Sequence, residues 1–306
     1  MTSPIPAADA KEEAARLAGL ALILLAYLCF ACLDTTAKYL GAALAPLQIV
    51  WVRFLTHSAF AIVALRPWRT PEHYRARHPL QQALRALCLL GATFFNFLAV
   101  QYLQLAETAS IFFLAPFMVT ALAGPFLGEW AGARRWAAIV VGFLGALLIV
   151  RPGPEGFQPA MLLSLAATAS YAFYILLTRR LTRDETAEGM ILLPALIAAA
   201  IMTPVGILQW QTVPDAAHWA LLLVTGLFGG LGHWFVIKAH QTAPAPVLAP
   251  FLYTQLLWMV LLGYAIFGDV PGRSTLMGAA IIVASGLYLF YRERQLAAGR
   301  RRAGAP

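Results

Sequence analysis

Asp34 and Lys38 stand four residues apart in one long apolar run, and Arg53 and His57 stand four apart in the next. On a helix that spacing places each pair on a single face. A charge in hydrocarbon costs roughly 2.5–3.5 kcal/mol on an insertion scale and normally faces a partner or a wet cavity. Two readings follow. Asp34 neutralises Lys38 or Arg53 and holds the two segments together. Alternatively, two cations against one acid leave a positive charge for a substrate carboxylate, and the planar fork of Arg53 suits a carboxylate because it binds bidentately. Asp34 and His57 are also the candidates for carrying a proton, although passive exchange is equally consistent with these residues.

Aromatic and amide side chains form a second layer of candidates: Asn96, Tyr171, Tyr174, His233, Trp234, Tyr253, Gln255 and Trp258. Rings with polar tips give a cavity apolar walls and a few hydrogen bonds, which fits a partly apolar zwitterion. The competing role for such rings is packing or anchoring at the membrane interface. Covalent chemistry has no comparable support. No phosphate-cradling GxxxxGK[ST] loop is present. The connectors offer only scattered Glu72, His73, His78, Asp184, Glu185 and Glu188, without a motif that organises acids and bases at one membrane face. Cys29 and Cys32 form a CxxC with no second pair to complete a metal set. No catalytic residue, metal or cofactor is therefore assigned, and a membrane-embedded enzyme is a distant alternative.

The elements that position these residues follow from composition. Of 306 residues, 60% are hydrophobic and 12% charged, against about 45–50% and about 25% in soluble chains. Apolar runs fall at 17–40, 46–65, 80–103, 106–127, 135–150, 159–180, 187–209, 218–239, 246–267 and 275–291, and a spanning helix needs about 20 residues. This predicts an all-α polytopic membrane protein of ten transmembrane helices, with no room for a sizeable soluble domain. The net charge of +8 would suggest nucleic acid if it formed a stripe on a folded surface. Instead it sits between the apolar runs, so the expected partners are the lipid bilayer and a small molecule, not nucleic acid.

Eighteen Lys and Arg residues, from Lys11 and Arg16 through Arg66, Arg85, Arg134, Arg179 and Lys238 to Arg302, fall at one set of span ends. Only Arg151 and Arg273 fall at the other. The positive-inside rule then puts both termini in the cytoplasm, and a multi-pass protein of the bacterial inner membrane is expected.

Residues 108–117 read TASIFFLAPF and residues 242–251 read TAPAPVLAPF, agreeing at six of ten positions. Leu127-Gly128-Glu129 closes one span and Phe267-Gly268-Asp269 the later one. The chain thus divides into a segment 1–16, a first repeat 17–150, a second repeat 151–291 and a basic tail 292–306. Five spans per repeat is odd, so the repeats are inverted, an architecture of secondary transporters. Pro116 and Pro250 occupy matching positions and are expected as hinges or cavity edges. Glu129 and Asp269 are expected to cap the bundle or lock a gate. Gly229, Gly230 and Gly232 are expected to let span eight pack closely, and Glu107 to be solvated.

Ten spans, two inverted halves, Trp51-Val52-Arg53-Phe54, LGE at 127–129 and LAPFLYTQLLWMVLLGYAIFGD at 248–269 together resemble the EamA branch of the drug/metabolite transporter superfamily. The resemblance runs from about residue 17 to 292, with Asp269 where Glu is usual. It implies transport of a small metabolite, mostly outward, without a cofactor. Members handle amino acids, amino-acid-derived metallophores, riboflavin and S-adenosylmethionine. The expected function is export of a small polar or zwitterionic metabolite by alternating access, with import of riboflavin or S-adenosylmethionine as the alternative. A chain holding both halves needs no partner to form a pathway, and a homodimer is compatible with it.

Overall fold

Helices start and stop where the residue types dictate. Pro46 and Pro79 open spans two and three in their first turn, where a missing N–H costs no helical bond. At span four, Gln104 and Glu107 cap one another, Gln104 N donating to Glu107 Oε2 at 3.0 Å. Glu107 is therefore a half-buried cap rather than a freely solvated side chain. Gly128 and Gly268 end spans four and nine at φ 75° and 69°, a left-handed conformation that glycine adopts without a Cβ clash.

The computed structural model describes residues 7–128, 130, 132–150, 158–182, 184–242 and 248–302. Among them there is helix and no strand. Nine described helices are long and apolar enough to cross a membrane: Leu17–Leu40, Pro46–Leu65, Pro79–Tyr102, Leu105–Leu127, Ala133–Val150, Ala160–Leu181, Ala187–Leu208, Ala216–Thr242 and Arg273–Arg292. A shorter apolar helix, Phe251–Phe267, is span nine. It is assembled from a 3-10 turn at Ala249–Tyr253, an α-helix at Thr254–Leu262 and a π turn at Gly263–Phe267. The fold is a ten-helix membrane bundle. Span four is broken at Phe113 and Leu114, just before Pro116.

Span one packs on span eight, three on six, two on seven, four on nine and five on ten. When the second half is renumbered from one, these pairs become 1 with 3′, 3 with 1′, 2 with 2′, 4 with 4′ and 5 with 5′. Each contact has its exchanged counterpart, as in an isologous two-fold interface. With five spans per half, that axis lies in the membrane plane and the halves are inverted.

The crossing of spans five and ten repeats the rule at residue level. Gly128 and Gly268 set a register of 140 residues, which carries Ala138 onto position 278 and Ser285 onto position 145. Ser285 Oγ donates to Ala138 O at 2.7 Å. Its counterpart is the glycine crossing, where a Cβ on Gly278 would lie 2.5 Å from Gly145 O. Only small residues permit this approach.

Among the described residues, two of four apolar clusters are the largest. One gathers Leu33, Phe54, Phe97 and Leu222 from spans one, two, three and eight. The other gathers Phe117, Ile149 and Ile282 around spans four, five and ten. Val140, Phe143, Leu144, Leu276 and Met277 are exposed, as a lipid-facing surface requires. Below, the terminal face is the end where span one begins and span ten finishes, and the far face is its opposite.

The connector from Arg66 to Pro79 is docked. Its 3-10 turn at Pro71–Tyr74 lies against the start of span seven. His73 O accepts from Thr186 Oγ1 there, and His78 N donates to Glu185 Oε1 at 2.8 Å.

Candidate functional site

Lys38 turns away from Asp34. Its Nζ donates to Asp269 Oδ2 and to Leu103 O, both at 2.9 Å, and lies 4.9 Å over the Phe267 ring. The carbonyl of Leu103 is free for this bond because it lies just past the end of span three. Lys38 therefore ties span one to the far ends of spans three and nine, and its charge is neutralised outside the centre. The pair is 16% and 23% exposed, so it sits at the edge of the bundle.

Asp34 Oδ1 accepts from Asn96 Nδ2 at 2.9 Å. Among the described residues no ion pair within 4 Å joins it to Arg53 or to Lys38. Arg53 is 3% exposed, and its Nε and Nη1 have no hydrogen-bond partner. The guanidinium lies 4.4 Å over the ring of Phe54. His57, one turn further along span two, also has both ring nitrogens buried without a partner. It stacks on His233 at 5.9 Å and 9°, and His233 meets Phe30 edge-on at 5.2 Å.

Span eight makes room for this arrangement with a glycine face. A Cβ on Gly229 would stand 3.3 Å from Arg53 Nη2. One on Gly226 would fall 1.7 Å from Thr56 Oγ1, and one on Gly230 would fall 2.6 Å from Phe60. Span two thus approaches span eight almost backbone to backbone, and the guanidinium occupies the space that side chains would otherwise fill.

Sequence counting misplaced Arg85. It was grouped with the basic span ends, but it lies six residues inside Pro79, about 9 Å along the helix, and is 2% exposed. Nε donates to Thr178 Oγ1 at 2.6 Å, and Nη1 donates to Met190 O at 2.9 Å and Gln82 Oε1 at 3.4 Å. Nη2 donates to Tyr174 OH at 3.0 Å, with the guanidinium 4.6 Å over that ring. The available signal was Arg85 three residues after Gln82 on the same helical face. Asp34 and Arg53 are therefore the charges left near the middle of the bundle, and Arg85 is a third buried charge, eleven residues before Asn96 on span three and so about 16 Å nearer the terminal face.

Tyr174 stacks on Tyr171 at 5.8 Å, and Tyr171 packs on Phe112 at 4.8 Å. The contacts thus join Asp34 to Asn96, His57 to His233 and Tyr171 to Tyr174, with Arg53 one turn from His57 and the two tyrosines packed in the same apolar core as Leu33 and Phe54. Other candidates have contacts elsewhere. Tyr253 meets Phe113 edge-on at 5.0 Å, and its hydroxyl is buried without a partner against Gly286, so it packs span nine against span ten. Trp234 lies under Lys238 Nζ at 5.3 Å toward the terminal face. Gln255 is buried on span nine, and Trp258 Nε1 is buried there without a partner. Pro250 falls in the 3-10 turn that opens span nine, and Glu129 lies outside the described residues. Among the described residues no three of His, Cys, Asp and Glu gather as a metal site.

Residues 17–151 and 158–291 each match the EamA-like transporter family. An S-adenosylmethionine uptake transporter of Rickettsia felis is 30% identical over 284 residues, covering 91% of this chain and 94% of that protein. A riboflavin transporter of Vibrio cholerae is 28% identical over 280 residues, covering 89% and 93%. A solved crystal structure, 20% identical, covers 93% of this chain and 99% of its own with a TM-score of 0.63, and is similar in fold.

Proposed function

This chain belongs to the EamA-like transporter family, and on that premise we propose that it takes up a small zwitterionic metabolite by alternating access. It is a transporter, not an enzyme. The ligand class is an amino-acid head joined to a flat, partly apolar group. The observation that carries this reading is Arg53, a buried guanidinium with Nε and Nη1 unpartnered. An uncompensated buried charge is strongly unfavourable, and a carboxylate forked onto the Nε–Nη2 or the Nη1–Nη2 edge, each of which holds one of these unpartnered nitrogens, would relieve it. Asp34, held by Asn96, would receive the ammonium. Tyr171, backed by Tyr174, and His233, backed by His57, would supply ring surface to the tail.

Two features separate the relatives' named cargoes. S-adenosylmethionine carries both an amino-acid head and a heteroaromatic tail, whereas riboflavin has no amino-acid head. The outward direction implied by resemblance gives way to uptake, the direction in the name of the Rickettsia relative. The terminal face, where the Lys and Arg residues concentrate, is assigned to the cytoplasm.

The test is counterflow in proteoliposomes with labelled S-adenosylmethionine, methionine or riboflavin. Zwitterion exchange is expected, with Arg53→Met reducing it by about 100-fold, the loss typical of a desolvated charge left without its partner. Riboflavin exchange that proceeds equally in wild type and Arg53→Met, with no zwitterion exchange, overturns the proposal.

A further inference from the structure

Span seven carries Pro194 and Pro204 inside Ala187–Leu208. Proline has no N–H to give to the carbonyl four residues earlier, so Pro194 deprives Met190 O of its helical partner. Met190 is 7% exposed, and in hydrocarbon no water is at hand to complete the bond. The carbonyl nevertheless has a donor, Arg85 Nη1 at 2.9 Å. The remaining nitrogens of that guanidinium are also engaged, Nε by Thr178 Oγ1 and Nη2 by the hydroxyl of Tyr174. One side chain on span three thus touches the broken backbone of span seven and a ring of span six.

We infer that Arg85 is a positioning residue: its Nη1 replaces the backbone N–H that Pro194 lacks, while its Nη2 fixes Tyr174 in the wall of the substrate region. The two functions are geometrically linked because the guanidinium is rigid and planar. Moving the Pro194 break would move Tyr174, and disturbing Tyr174 would loosen the break. The first function stands on geometry alone, and the second rests on the proposed transport of a zwitterion.

A mutant cycle tests the first function without any substrate. Alanine at position 194 restores an N–H to the ladder, so Met190 O no longer needs Arg85. The thermal midpoint is measured in purified full-length protein for Arg85→Met, Pro194→Ala and the double variant. Arg85→Met is expected to lower the midpoint in the native background and to lose less than half as much in the Pro194→Ala background, a coupling that only interacting sites show. Equal losses in both backgrounds overturn the inference. If Arg85→Met alone does not accumulate, recovery of folded protein in the double variant is the expected result, and its failure to recover is the overturning one.

Transport kinetics test the second function. Arg85→Lys keeps one donor for Met190 O and loses the fork that reaches Tyr174, and Tyr174→Phe removes only the hydroxyl. Each is expected to raise the KM for the transported zwitterion about fivefold, the worth of one such hydrogen bond, with the maximal rate little changed. The two combined are expected to be no worse than either alone. An unchanged KM in Arg85→Lys overturns the positioning of Tyr174. If the wild type transports no zwitterion, the proposed function fails, while the thermal cycle still decides the replacement of the Pro194 N–H.

Discussion

Arg53 and Arg85 are buried to nearly the same degree, at 3% and 2% exposure, yet their surroundings are opposite. Around Arg85, a threonine, a glutamine, a backbone carbonyl and a tyrosine hydroxyl engage all three nitrogens. Around Arg53, span eight presents glycines, and Nε and Nη1 meet no acceptor. Burial alone therefore does not identify a ligand-binding cation. A satisfied arginine belongs to the fold, and one with donors to spare is available to something that arrives from outside.

Each substitution below separates the two surroundings by a different amount. The largest expected split comes from methionine at each arginine in turn. Arg53→Met is expected to remove transport about 100-fold while sparing the thermal midpoint, since the fold uses neither Nε nor Nη1. Arg85→Met is expected to destabilise the protein by about 3 kcal/mol, because it strands a carbonyl and a hydroxyl in hydrocarbon. Transport assays and thermal unfolding on the same preparations check both, and a reversed pattern breaks the comparison.

A smaller effect is expected from Gly226→Ala. Its Cβ would overlap Thr56 Oγ1, and forcing spans two and eight apart should cost about 1–3 kcal/mol. The same separation would move Arg53 and so raise KM, whereas an alanine at Gly128, with nothing within 4 Å, should leave KM alone. Lys38→Met comes next. Its partly exposed pair with Asp269 should contribute no more than about 1 kcal/mol, visible as greater labelling of a cysteine placed inside the far face. Ser285→Ala should be the mildest for function: it removes one hydrogen bond to Ala138, for about 1 kcal/mol of stability, without touching transport.

The ten-span frame was legible because apolar length is a local property of the chain. The inversion was legible because the motif around Pro116 recurs after an odd number of spans. Arg53 and His57 stood out as polar groups near the middle of an apolar run. Arg85 did not, since a basic residue six positions into a span resembles an interfacial one until its depth and neighbours are known. The partner of Lys38 lies 231 residues away, beyond the reach of helical spacing, so the nearer Asp34 looked the better match. Tyr253 stayed open between lining a cavity and packing for a related reason. Its position along span nine gave no direction around the helix, and the recess opened by Gly286 decided which side received the ring.

The two-fold frame has halves matched in their contacts and unequal in their chemistry. Asp34, Arg53, His57, Arg85 and Asn96 all come from the first half, whereas Tyr171, Tyr174 and His233 come from the second. On the proposed mode of binding, rotation about the axis would present a ligand's tail to the arginine, so only one of the two symmetry-related poses would be favourable. Inverted halves that exchange shapes would open first toward one face and then toward the other while the ligand keeps that single pose. It would then meet one compartment head first and the other tail first, so entry and release would follow different sequences of broken contacts along an otherwise symmetrical path.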